Sequence, residues 1–184
     1  MSDAGKNKKP AGKGPGGRAP RRRPGPRDES SDLFEAVVKV YRSATVVKGG
    51  RRFSCAALTV VGDGKGSVGI GYGKANEVPA AVEKGFKRAR RSMQKVALAG
   101  RTLPHEVIGR YMASRVFMKP APPGTGIIAG SSVRAVAEAA GIENMLTKSY
   151  GSTSAKNVVK ATMQGLLSLR NRETVEKLRG VTLE

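Results

Sequence analysis

The stretch from residue 46 to residue 97, VVKGGRRFSCAALTVVGDGKGSVGIGYGKANEVPAAVEKGFKRARRSMQKVA, constrains the chain most, because its apolar residues change period part-way along. Runs at 46–47, 53–61 and 68–72 are rich in apolar and β-branched side chains. The loops between them, 48–52 and 62–66, hold the glycines and charges that turns use. Three such runs and two short loops predict an antiparallel meander. After Gly73, the residues Val78, Val82, Phe86, Ala89, Met93 and Val96 recur at steps of three and four, the stripe of one amphipathic helix. Pro79 fits its first turn, where the missing amide has no intrahelical partner. Lys84, Lys87, Arg88, Arg90, Arg91 and Lys95 take the opposite face. A sheet backed by a helix with a basic outer face is a platform for phosphates.

The charge balance points to the same partner. The 184 residues include 34 Lys and Arg against 14 Asp and Glu, a formal net charge of +20 that attracts polyanions. Residues 33–98 carry thirteen basic and four acidic side chains and residues 99–184 twelve and six, so the first unit is the more basic. With 39% hydrophobic residues the chain has material for one or two small domains. A single cysteine, Cys55, excludes an intramolecular disulfide framework and a cysteine-based zinc site, which suits a reducing cytosol. Its place on a strand between Phe53 and Ala57 predicts a buried apolar role. No apolar run is long enough to cross a bilayer and the basic start precedes no signal-type segment, so a cytoplasmic protein is expected.

Residues 1–27 hold nine basic residues, one acid, six glycines and five prolines, with no Val, Leu, Ile or Phe. Such a segment buries too little apolar surface to offset its ordering entropy, and reads as a disordered basic arm that orders on nucleic acid through Arg21, Arg22 and Arg23. Asp28, Glu29 and Asp32 reverse the charge and set its boundary at residue 32. A first strand is expected over residues 36–47. Its hairpin tip, Lys48, Gly49, Gly50, Arg51 and Arg52, joins two flexible glycines to three cations, so backbone comes close to RNA while arginine forks hold phosphate.

Other glycine patterns do not carry enzymatic readings. Gly64, Gly66 and Gly69 spell GxGxxG, but a strand-like segment follows where a dinucleotide fingerprint opens a helix. GYGK at 71–74 resembles the end of a phosphate loop, yet Val68 stands at its first glycine and Ala75 at its metal-binding hydroxyl. Residues 100–104 read as a linker into a second unit. There, strands are expected at 106–110, 114–119 and 142–149, and a short helix at 131–140 stopped by Gly141. A final helix follows, with N-caps among residues 152–154 and an apolar stripe of Val158, Val159, Thr162, Met163, Leu166 and Leu167. The charged residues 170–184 are expected to fray. The domain scheme is thus 1–32, 33–99, 100–169 and 170–184.

The loop PPGTGIIAGSSVRA leads into a helix N-terminus, an anion site by its nature, and loosely resembles the phosphate loop of small-molecule kinases of the galactokinase and homoserine kinase class. Phosphoryl transfer needs carboxylates for magnesium and usually a base, and only Glu138 and Glu143 are close in sequence. His105, the sole histidine, reads as a surface or hydrogen-bonded structural residue. No catalytic triad, metal cluster or carboxylate pair stands out, so no enzyme, cofactor or metal is expected.

Taken together, VVKGGRRFS, ALTVVGDGKGSVGIGYGKANEVPAAVEK, SRVFMKPAPPGTGIIAG and KSYGSTSAKNVV resemble bacterial small-subunit ribosomal protein five, in unbroken order over residues 34–169. The resemblance implies an α+β chain: an N-terminal unit like a double-stranded-RNA-binding domain, then a C-terminal α/β domain with the fold of those kinases. It implies a monomer seated on small-subunit ribosomal RNA beside small-subunit proteins four and eight, near the messenger entry path, with effects on assembly and decoding accuracy. The family hairpin that approaches the spectinomycin site matches Val47 to Arg52. Just upstream, the family's usual Asn-Arg-Val-Ala-Lys is replaced by Tyr41, Arg42, Ser43, Ala44 and Thr45. The surface against protein four maps onto Gly124, Thr125, Gly126 and Arg134. Arg42, Val47, Lys48, Gly49, Gly50, Arg51, Arg52, Lys65, Lys74, Lys84, Lys87, Arg88 and Arg91 are expected to meet RNA, by shape more than by sequence. Composition alone also fits a free-standing double-stranded-RNA binder or a chaperone.

Overall fold

The computed structural model describes residues 33–180, so the arm expected over residues 1–32 and the end of the expected tail lie outside the described residues. The elements in chain order are β1 (Phe34–Val47), β2 (Gly50–Gly62), β3 (Ser67–Ala75), α1 (Val78–Arg91), β4 (Gln94–Lys95), β5 (Val107–Tyr111), β6 (Ser114–Pro120), β7 (Ile127–Ile128), α2 (Ser131–Ala140), β8 (Met145–Gly151), α3 (Ala155–Leu167) and α4 (Arg172–Arg179). One sheet has the order β1-β2-β3-β4, the other β5-β6-β8-β7. All pairings are antiparallel except β7 with β8. The class is α+β, as expected, with the meander and helix first and the α/β unit second.

The helix after the meander is shorter than its apolar period predicts, and its most buried line is turned partly away from the expected stripe, which it meets at Ala89 while Val82 and Phe86 are half-buried. Ser92 ends it, its hydroxyl donating to the Ile70 carbonyl at 2.8 Å and so drawing the chain onto β3. Met93 and Val96 therefore lie beyond α1, and the Val96 amide donates to the Gly66 carbonyl at 2.8 Å. Val78 is exposed, and the buried face is Ala81, Gly85 and Ala89. Opposite stand Gly69, Gly71 and Gly73, which strand alternation puts on one side of β3. A Cβ on Gly69, Gly71 or Gly73 would overlap the carbonyl oxygen of Ala89, Gly85 or Ala81 respectively. Helix backbone lies on strand backbone here, so close packing of main chain replaces the apolar side chains that periodicity looks for. The same glycines account for GYGK without any phosphate.

The two sheets share one core. Leu58, Val60 and Val68 of the first sheet meet Val116 and Met118 of the second through Val136 and Ala137 of α2 and Leu166 of α3. The segment expected as a linker is packed into this core. Leu103 is 1% exposed, and the Thr102 hydroxyl donates to the Asn144 carbonyl at 2.7 Å. Cys55 is half-buried rather than buried. Leu167 is exposed and falls out of the expected stripe, while residues 172–179 form α4 instead of fraying, with Arg172 on Glu176 at 2.8 Å.

The β2–β3 turn locks the first sheet to α2. The Gly64 and Gly66 amides donate to the Ala139 and Ala140 carbonyls at 3.1 and 3.0 Å, satisfying acceptors that a helix C-terminus leaves unpaired. Gly141 adopts φ 82° there, and a side chain on it would meet the Gly64 carbonyl. Asp63 holds the turn, its Oδ1 accepting from the Lys65 and Ser67 amides, each at 2.8 Å. Partial burial works against ionisation of Asp63, but these hydrogen bonds outweigh it and keep its pKa below the ordinary carboxylate value. A depressed folded-state pKa gives stability that is present above the unfolded value near pH 4 and lost as pH falls through the folded value. Asp63→Ala is accordingly expected to cost about 1–2 kcal/mol at pH 7 and less at pH 3. Equal losses in urea melts at both pH values would contradict the role of the charge.

Candidate nucleic-acid interface

The β1–β2 ribbon outruns its support. The last pair of β2 with β3 is Cys55 with Ala75, whereas β1 and β2 stay paired to Val47 with Gly50. Residues 43–54 therefore extend as a free two-stranded arm of about 17 Å, and a ribbon of this kind is marginally stable by itself. The loop is shorter than expected, with only Lys48 and Gly49 between the strands. Arg51 and Arg52 belong to β2, opposite Val46 and Thr45. Successive strand residues point to opposite faces, so the two arginines straddle the arm instead of forming one fork at its tip.

Val46 and Val47 are exposed beside these cations, at 78% and 48%. On the face that α1 covers farther down, the Arg42 guanidinium lies 3.7 Å from the centre of the Phe53 ring. This cation–π contact is worth about 0.5–1 kcal/mol at an exposed site and holds Arg42 as a flat donor surface. Phe53 was not among the expected site residues; its 43% exposure on a strand next to two arginines marks it. Gly49 has open space around it, and Gly50 takes φ 142°, a conformation that favours glycine.

The remaining expected RNA contacts divide into three groups. Lys84, Lys87, Arg88 and Arg91 share one flank of α1, at spacings of three, four and seven. Among the described residues Lys84 and Arg91 form no salt bridge. Lys87 pairs with Glu83 at 2.7 Å, and that hydrogen bond with its charge lowers the Glu83 pKa. Arg88 donates to the Tyr72 carbonyl at 2.6 Å, tying α1 to β3. Arg90 serves the fold in a similar way, pairing with Glu35 of β1 at 2.7 Å. Lys74 stands with Tyr72 on the other face of the sheet, where Lys156 of α3 lies 4.3 Å from the Tyr72 ring.

Lys65 is apart from both sets. It lines a cleft of about 900 Å³ between the β2–β3 turn and α2, together with Lys95, Arg101, Arg134, Glu138 and Glu143. The structure thus places Lys65 with the expected protein-interface residue Arg134. Arg101 is engaged with Glu143 at 2.7 Å. Arg134, in the first turn of α2, donates to the Ile127 carbonyl at 2.9 Å. The loop before it is built by hydrogen bonds: Thr125 Oγ1 donates to the Pro122 carbonyl at 2.9 Å and the Gly126 amide to Asn144 Oδ1 at 3.0 Å. Gly124 and Gly126 adopt φ 90° and 75°. Gly126 has no neighbour where its Cβ would lie, so a substitution there is resisted by backbone conformation and leaves the chain's own packing alone. His105 accepts from the Arg170 amide at 3.3 Å, a structural contact as expected.

Both units match known proteins. The family model "Ribosomal protein S5, N-terminal domain" matches residues 33–97, and "Ribosomal protein S5, C-terminal domain" matches residues 109–179. The chain is similar to the small ribosomal subunit protein uS5 of Syntrophobacter fumaroxidans, 58% identical over 154 residues, which is 83% of this chain and 93% of that one. The uS5 of Acinetobacter baylyi is 56% identical over 157 residues, 85% and 95% of the two chains. That of Rubrobacter xylanophilus is 54% identical over 159 residues, 86% and 80%. With an unsupported basic ribbon, a helix-backed meander and an α/β unit each falling inside these matches, the chain belongs to the ribosomal protein S5 family.

Proposed function

We propose that the chain is a structural constituent of the small ribosomal subunit that grips ribosomal RNA with its β1–β2 arm and the Lys84 to Arg91 flank of α1. The observation that carries this reading is the arm itself. Residues 43–54 leave the body of the fold with cations on both faces and exposed valines at the end, and the Arg42–Phe53 pair stands at their base, a surface suited to an outside polyanion. An irregular, phosphate-rich RNA surface supplies it. Members of this family are structural and non-enzymatic, and the kinase-like loop of residues 122–130 is accordingly read as a protein contact. Among the described residues no helix is long and apolar enough to cross a membrane. The protein acts in the cytoplasm, as part of the ribosome.

Finer placement follows the same residues. The arm tip, Val47 to Arg52, reaches the spectinomycin region at the junction of head and body. The cleft beside Gly124, Thr125, Gly126 and Arg134 faces small-subunit protein four, and protein eight is a second neighbour. A Gly49→Cys, Cys55→Ala protein reconstituted into small subunits tests the arm, since position 49 is open to a side chain. A photoreactive group on that thiol is expected to cross-link ribosomal RNA. Cross-links to protein alone would overturn the assignment.

The interface beside α2 yields a separate expectation. Arg134→Glu reverses an exposed charge, and Gly126→Arg forces a φ of 75° on a bulky residue, so both weaken this contact, and if it has to loosen during decoding the looser state is favoured. Stop-codon readthrough in cells carrying only the variant protein should rise several-fold, with subunit assembly largely retained. Unchanged readthrough would remove this surface from accuracy control.

A further inference from the structure

The second sheet has α2 and α3 on one side, and its other face is open among the described residues. Alternation along β5, β6 and β8 brings Ile108, Phe117 and Lys148 into one cross-strand row and Arg110, Arg115 and Tyr150 into the next. Lys119 and Leu146 continue the face toward Ile128 of β7. None of these strands contains an acidic residue; Glu106 stands just before β5. Among the described residues, no salt bridge engages Arg110, Arg115, Lys119 or Lys148. Arg110 and Arg115 are direct cross-strand partners, a like-charge juxtaposition that disfavours the sheet until an anion neutralises it.

Tyr150 is 55% and Ile108 49% exposed, and with Phe117, Arg110 and Arg115 they line a depression of about 480 Å³. Phe117 and Tyr150 stand on the two central strands, β6 and β8, as diagonal neighbours across the pair. Flat rings on the middle of a sheet, ringed by cations and free of acids, match the demands of unpaired nucleotides: a π-face under each base and a positive charge beside each phosphate. Rings and arginines also serve protein interfaces, but strands free of acids with four cations outside any salt bridge favour a polyanion.

We propose that this outer face is a stacking platform for single-stranded RNA, with bases on Phe117 and Tyr150 and phosphates on Arg110, Arg115, Lys119 and Lys148. It deepens the ribosomal RNA reading above and rests on it. The test uses the full-length protein and a short unstructured RNA oligonucleotide carrying 2-aminopurine, with an RNA duplex of equal length as the second probe. Wild type should quench the 2-aminopurine, which reads stacking without any substitution. Tyr150→Ala should weaken single-strand binding about tenfold and leave duplex binding nearly unchanged, while Tyr150→Phe restores it. Arg115→Gln should weaken both. Absence of quenching, or equal affinity of Tyr150→Ala and wild type for the single strand, would overturn the platform. If Tyr150→Ala keeps its RNA affinity but fails to enter reconstituted subunits, the face docks a ribosomal protein instead. An Arg51→Glu, Arg52→Glu protein run in parallel separates the two readings. If it too binds every probe like wild type, the RNA function assigned to the arm fails; if it alone loses affinity, only the platform does.

Discussion

Gly71→Val is expected to lower the thermal transition of the isolated protein by roughly 10 °C, while Gly49→Ala leaves it within about 2 °C. Valine has a high strand propensity, so by local preference the first substitution would be favourable. It fails because of what faces position 71: a Cβ there overlaps the Gly85 carbonyl oxygen and crowds the Ala89 amide, both main-chain atoms of α1. Backbone has no rotamer to move into, so the helix must lift. Overpacking of this kind costs about 3 kcal/mol, the upper end of its usual range. At roughly 2–4 °C per kcal/mol for a chain of this size, that gives the shift stated. Gly49 has no neighbour within reach of an added Cβ and serves as the control. A Gly71→Val protein that melts like wild type would mean that α1 does not lie on β3 through its glycines.

The second large effect concerns affinity. Arg51→Glu with Arg52→Glu is expected to weaken binding to small-subunit ribosomal RNA roughly a hundredfold, about 3 kcal/mol, because each lost phosphate contact is worth about 1 kcal/mol or more and each reversal adds repulsion. The double variant should also flatten the dependence of log affinity on log salt by about one to two. Because the two side chains point to opposite faces of the ribbon, the single reversals discriminate between modes of docking. Comparable losses from each place RNA on both sides of the arm. A loss from one alone means that the arm lies flat on a single surface. Salt titrations with the double variant indistinguishable from wild type would remove the arm from RNA binding.

Much of the fold was legible because side-chain period is a local property. The three runs of the meander, the α2 span with its Gly141 stop and the start of α3 follow from apolar spacing, and the structure places them where that spacing predicts, although the Ser154 side chain at the start of α3 makes no capping hydrogen bond. The helix over Val78–Arg91 was legible as a helix but misjudged in length and, in part, in face. Its closest contact surface is Ala81, Gly85 and Ala89, of which only Ala89 registers in the apolar stripe, and its end depends on a Ser92 hydroxyl that reaches across to β3. The alternating glycines at 69, 71 and 73 carried the signal, since close approach of another backbone is one reason for glycine within a strand.

The candidate site was legible where its residues are contiguous and illegible where strand order assembles it. Lys48 to Arg52 announce themselves as a cluster, although register rather than composition decides that Arg51 and Arg52 face opposite ways. Arg110, Arg115, Phe117, Lys148 and Tyr150 are scattered over 41 residues and meet only because β6 pairs with both β5 and β8. No one-dimensional window joins them. Conversely, Lys65 read as part of the RNA-binding set, and docking of the β2–β3 turn on the end of α2 puts it in the cleft with Arg134 instead.

The central claim, that this protein is held in the small subunit by its basic arm, is tested most directly by sedimentation. Lysates of cells expressing tagged wild-type or Arg51→Glu, Arg52→Glu protein are run through sucrose gradients at moderate salt. On that claim, wild type is expected in the small-subunit peak and most of the double variant near the top, still folded by its thermal transition. Wild type at the top of the gradient, or both proteins together in the small-subunit peak in equal amounts, would contradict it.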